Sequence, residues 1–90
     1  MIEVERSVTI VNRLGLHARP AAEFVKVASR YKANVTITKD GLEVNGKSIM
    51  GVMTLAAECG STVRLYARGV DAEAAVDALQ KVLAREFGDI

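Results

Sequence analysis

The sequence predicts an α+β domain of two layers, a four-stranded antiparallel sheet covered on one side by three helices in the order β-α-β-β-α-β-α. Three observations lead there. Period-two alternation recurs in short segments, apolar stripes at helical spacing fill the stretches between, and an Asp-Gly pair joins two alternating runs. Strands with one polar face and helices with one apolar stripe bury those surfaces most simply by stacking as two layers.

The first strand puts Val4, Val8 and Ile10 on one face and Glu3, Glu5, Ser7 and Thr9 on the other. A first helix is expected from about Ala18 to Tyr31, with Ala21, Phe24, Val25, Ala28 and Tyr31 at helical spacing. Val35 to Thr38 alternates, Asp40-Gly41 turns the chain, and Leu42 to Val44 returns as a hairpin partner. Ser48 is a good N-cap for a helix of one or two turns, shortened by Gly51 and closed by Gly60. Val63, Leu65 and Ala67 face inward on a fourth strand, opposite Arg64, Tyr66 and Arg68. Asp71 caps a last helix with the stripe Ala75, Val76, Leu79, Val82, Leu83 and Phe87, and Gly88 stops it.

Ninety residues make one small domain, residues 1–90, with no room for a second core. Half the residues are hydrophobic, and the net charge is +1 with interspersed signs, so no basic footprint points to nucleic acid. Cys59 is alone; it forms no intrachain disulfide and is expected to pack as a small apolar residue. The start, Met1 to Arg6, lacks the pattern of a signal peptide, and no apolar run is long enough to span a membrane. These features predict a cytoplasmic, reduced, soluble domain.

The most informative stretch is Gly15-Leu16-His17-Ala18-Arg19-Pro20, which places the one histidine where a strand yields to a helix. Proline is tolerated in a first helical turn, so the break falls near His17. A neutral imidazole is a competent nucleophile near pH 7. A phosphoryl group on the ring would lie near the amides of Ala18 and Arg19 at the positive end of the helix dipole. Arg19 adds a permanent cation with a planar fork suited to phosphate oxygens. Gly15 permits the bend that lifts the ring out, and small Ala18 lets a partner approach. No His, Cys or carboxylate cluster surrounds His17 in sequence, so neither a metal site nor a Ser-His-Asp hydrolase is expected.

The run Asn12-Arg13-Leu14-Gly15-Leu16-His17-Ala18-Arg19-Pro20-Ala21 resembles the phosphorylation signature of HPr, the histidine-containing phosphocarrier family of the phosphoenolpyruvate-dependent sugar phosphotransferase system. Val44-Asn45-Gly46-Lys47-Ser48-Ile49-Met50-Gly51-Val52-Met53-Thr54-Leu55 resembles the family's serine region at the expected separation. The likeness covers the whole chain. It implies an open-faced sandwich and a carrier that is not an enzyme and needs no cofactor or metal. It further implies that His17 accepts phosphoryl on Nδ1 from enzyme I and delivers it to enzyme IIA, with Arg19 and the Ala18 amide stabilising the phosphate.

Ser48 has a structural role as a cap, and the resemblance adds phosphorylation by an HPr kinase/phosphorylase and reading by a catabolite-control transcription factor. Ile49, Met50 and Met53 are too many apolar groups for one short helix to bury. The resemblance implies that, with Ala18, Arg19 and Ala22, they form the face that docks on enzyme I and enzyme IIA, where flexible methionines can re-pack against several partners. A monomer is expected, without direct membrane insertion. Two alternatives stand beside this reading: a carrier of the nitrogen-related phosphotransferase branch, whose members depart in the serine region, and a non-phosphorylated α+β regulatory module.

Overall fold

Alternation in sequence becomes a layered sheet in the computed structural model, which describes residues 1–87. Strands β1 (Glu3–Thr9), β2 (Asn34–Lys39), β3 (Leu42–Asn45) and β4 (Thr62–Arg68) form one antiparallel sheet in the order β1-β4-β2-β3. Helices α1 (Ala18–Ala28), α2 (Ile49–Thr54) and α3 (Ala72–Leu83) complete the expected β-α-β-β-α-β-α order. The expected stop at Gly88 lies outside the described residues.

Register explains the two faces. Val8 pairs with Val63, Val35 with Ala67 and Ile37 with Leu65, so one face carries apolar side chains across the sheet. These residues are buried with Phe24, Val52, Val76 and Leu79 from the helices in one cluster. The opposite face shows Glu5, Arg64, Tyr66 and Thr38 and stays polar. Tyr66 donates its hydroxyl to Glu3 there, and that bond to a carboxylate raises the phenol above its ordinary range. Arg6 stands on the helix side of β1 yet keeps its charge near water by reaching Asp77 and Gln80 on α3.

The β2–β3 turn is built as the Asp-Gly signal predicts. Asp40 and Gly41 both have positive φ, 50° and 83°, and Lys39 pairs directly with Leu42. This is the primed geometry that matches strand twist.

Three local expectations are corrected. Helix α1 ends at Ala28, short of Tyr31, although Tyr31 still packs on the core. Asp71 does not cap α3 through its side chain: its two carboxylate oxygens accept the amides of Lys32 and Ala33, each at 2.8 Å. Those bonds hold the carboxyl below its ordinary range and fix the α1–β2 connection, which pulls the chain out of helix before Tyr31. Helix α2 is not closed by Gly60. It ends at Thr54, Ala56 takes a left-handed turn at φ 50°, and Gly60 sits in the turn before β4 with its N–H on the Ile10 carbonyl.

Candidate functional site

The site begins where β1 ends. Ile10 continues the pairing by donating its amide to Ser61 and accepting from Gly60, both at 2.8 Å. The chain then leaves the sheet at an exposed Val11 and turns through Asn12, which is only 2% exposed. Among the described residues, Asn12 is the one buried polar or charged residue.

Burial of an amide demands partners, and Asn12 has them at both ends. Its Nδ2 donates to the Gly15 carbonyl at 2.8 Å, and its Oδ1 accepts the Phe87 amide at 2.8 Å. The Gly15 amide in turn donates to the Asn12 carbonyl at 2.8 Å, closing a tight turn. Gly15 needs its missing side chain twice over. Its φ is +70°, and a Cβ there would collide with the Ala57 carbonyl. That carbonyl accepts the Leu16 amide at 2.9 Å, so the loop is stitched to the segment that follows α2.

His17 therefore arrives at the N-cap of α1 with its backbone extended, φ −77° and ψ −168°. Its carbonyl accepts the Ala21 amide at 3.0 Å, the first intrahelical bond. The ring makes no capping bond; its Nδ1 stands 3.2 Å from the Gly15 carbonyl and the residue is half-buried. A carbonyl only accepts, so Nδ1 carries the proton in this contact. The amides of Ala18 and Arg19 open the helix beside it, and both residues are exposed while Pro20 is buried. Backbone N–H groups at the positive end of an eleven-residue helix favour an anion at this point.

Two shallow hollows lie near the start of α1, one of them at the histidine. One, of about 310 Å³, is lined by His17 with Leu14, Leu16, Met53 and Ala57. The other, of about 290 Å³, is lined by Arg19, Ala22, Lys26, Arg85 and Phe87. Helix α2 packs on α1 with Val52 and Leu55 inward. Ile49, Met50 and Met53 are exposed at 44%, 76% and 41%, as their number in so short a helix predicts. Of these, Met53 shares the His17 hollow; Ile49, Met50 and Ser48 line neither hollow. Ser48 caps α2, accepting the Gly51 amide on Oγ at 3.1 Å.

Cys59 is exposed rather than packed, with its thiol 3.6 Å from the Val11 carbonyl. It falls on the outer side of the turn between α2 and β4, where the Ala-rich composition gave no hint of exposure. Among the described residues there is no group of three or more metal-capable side chains, and no helix is long and apolar enough to cross a membrane. What sequence reading missed is the tie from Asn12 to the far end of the chain. Arg13 adds a second tie by donating its amide to Glu86, and Arg85 lies over the Phe87 ring at 4.7 Å.

Known proteins resemble this chain in sequence and in fold. A family model described as the PTS HPr component phosphorylation site matches residues 4–85. The phosphocarrier protein HPr of Cupriavidus necator is 45% identical over 86 residues, covering 96% of this chain and 97% of the relative. The crystal structure of HPr from Bacillus anthracis superposes with a TM-score of 0.88 at 44% identity, covering 92% of this chain and 99% of that one. The catabolite-repression protein Crh of Bacillus subtilis, solved as a domain-swapped dimer, superposes at 0.75 with 42% identity over 96% of this chain and 99% of its own. The chain belongs to the HPr family, proteins that carry phosphoryl groups in a phosphotransferase system rather than act as enzymes.

Proposed function

We propose that His17 is the residue on which this carrier holds its phosphoryl group, receiving it from the phosphohistidine of enzyme I and passing it to enzyme IIA. One observation carries this reading: the ring stands at the N-cap of α1 without capping it, beside the opening amides of Ala18 and Arg19. Before the transfer the ring's one proton passes through solvent from Nδ1 to Nε2; the bond from phosphorus to the freed Nδ1 then forms as the donor's P–N bond breaks. The Ala18 amide and the Arg19 guanidinium take the phosphate oxygens by charge-assisted bonds. Positioning and charge stabilisation supply most of what such a transfer needs.

The docking face on this reading is Ala18, Arg19 and Ala22 from α1 with Ile49, Met50 and Met53 from α2, all six exposed. Ser48 regulates it. Phosphorylation by an HPr kinase/phosphorylase would set about −1.5 to −2 charges at its edge and repel acidic partners. A single copy presents this face in full, so mass measurement in solution should return the 9.7 kDa of one chain.

Incubation with enzyme I and phosphoenolpyruvate, followed by mapping, tests the central reading. The expected product carries one acid-labile phosphoryl group per chain, on His17. A folded His17→Ala variant that still takes up acid-labile phosphate would end it.

A further inference from the structure

We propose that Asn12 is a positioning residue for His17, setting which imidazole nitrogen holds the proton by sharing the Gly15 carbonyl with it; the consequence for phosphotransfer rests on the reading of His17 as the acceptor. The geometry is direct. Two donors converge on one oxygen, Asn12 Nδ2 at 2.8 Å and His17 Nδ1 at 3.2 Å. A carbonyl has two lone pairs and can accept both, but each donor withdraws charge from the oxygen and weakens the other bond. The shorter bond belongs to Asn12, and the longer one, at the far end of the ordinary range, belongs to the imidazole.

Nδ1 can attack phosphorus only when its lone pair is free and the proton sits on Nε2. A strong Nδ1–H bond to Gly15 would hold the ring in the wrong tautomer. Asn12 prevents this by occupying the better share of the carbonyl while keeping that carbonyl, and so the ring, in place. The side chain is itself locked, since it is 2% exposed and its Oδ1 is tied to the Phe87 amide. The role therefore needs both ends of the amide: one end addresses Gly15, the other anchors on a segment 75 residues away.

Imidazole ¹⁵N shifts, recorded well above the ordinary histidine pKa, report the tautomer ratio without any phosphoryl donor. Loss of the competing donor is expected to raise the Nδ1–H to Nε2–H ratio about three- to tenfold, the equivalent of one ordinary hydrogen bond. Asn12→Ala removes both bonds, whereas Asn12→Asp keeps an acceptor for Phe87 and loses the N–H toward Gly15. Both should shift the ratio and lower the maximal rate of phosphoryl acceptance by a similar factor, with KM for the phosphorylated donor little changed. If Asn12 acts only by clamping the loop to Phe87, Asn12→Asp, which keeps that anchor, will retain the wild-type ratio and rate, and the proposal falls. A wild-type measurement covers the case in which neither variant folds. Slow exchange of the Asn12 side-chain amide, with hydrogen-bond coupling to the Gly15 carbonyl carbon, is expected, and absence of that coupling overturns the proposal. Uptake of phosphate by folded His17→Ala would instead end the acceptor reading, leaving the tautomer result to stand or fall alone.

Discussion

Helices α1 and α2 begin with residues of opposite employment. Ser48 turns its side chain onto its own helix and accepts the Gly51 amide. His17 occupies the same position on α1 yet gives its helix only a backbone carbonyl, while its ring looks back to Gly15. A serine cap is worth about 1 kcal/mol, so α2, only six residues long, depends on it. Helix α1 has eleven residues and buries Ala21, Phe24, Val27 and Ala28, so packing holds it without a cap. Stability taken from burial relieves an N-cap side chain of capping its own helix; a short helix has no such latitude.

Substitutions can break or sharpen this contrast. The largest effect is expected from His17→Ala: phosphoryl acceptance is abolished while the thermal midpoint barely moves, as calorimetry beside the transfer assay will show. A marked fall in the midpoint would mean that the ring supports the helix after all. Next comes Gly15→Ala, which forces a side chain into a left-handed backbone and against the Ala57 carbonyl. Denaturant unfolding should record a loss of roughly 2–4 kcal/mol. Ser48→Ala should cost about 1 kcal/mol by the same measurement, with weakened amide protection confined to α2. If His17→Ala and Ser48→Ala cost the same, the contrast between the two helix starts is wrong.

The smallest effect is one of pH. The amides of Lys32 and Ala33 hold Asp71 below its ordinary value of 3.8, so between the two values the unfolded chain binds the extra proton. Its contribution is therefore complete above 3.8 and is lost as pH falls through the lower folded value. Thermal midpoints measured from about pH 5 down to pH 2 should fall less steeply in Asp71→Asn than in the parent chain.

Much of this was legible in the sequence because its causes are local. Alternation in Val63 to Ala67, the positive-φ pair Asp40-Gly41 and the stripe from Ala75 to Leu83 each depend on neighbours a few residues away. The surplus of apolar groups on α2 announced its exposed face in the same way. Illegible features depend on partners distant in the chain. Asp71 reads as a cap because aspartate caps helices, and only folding brings Lys32 and Ala33 within its reach. Asn12 reads as a loop residue, because its value lies in Phe87. Arg6 interrupts an apolar strand face that α3 alone makes tolerable. Within the site, the place of His17 at the start of α1 and of Arg19 in its first turn could be read, whereas the scaffolding that holds the His17 loop could not.

The bond from Asn12 to Phe87 also has a meaning in time. Closing a loop of 75 residues is entropically costly, and contacts of that span form late. In the folded chain the pairing of β1 with β4 and the packing of α3 on β1 shorten that span by bringing the two ends together. Asn12 is satisfied at both ends only when Phe87 is in place. On the reading of His17 as acceptor, loosening of the Phe87 contact is expected to slow phosphoryl acceptance before the sheet itself unfolds, which amide exchange beside a transfer assay at rising denaturant will show.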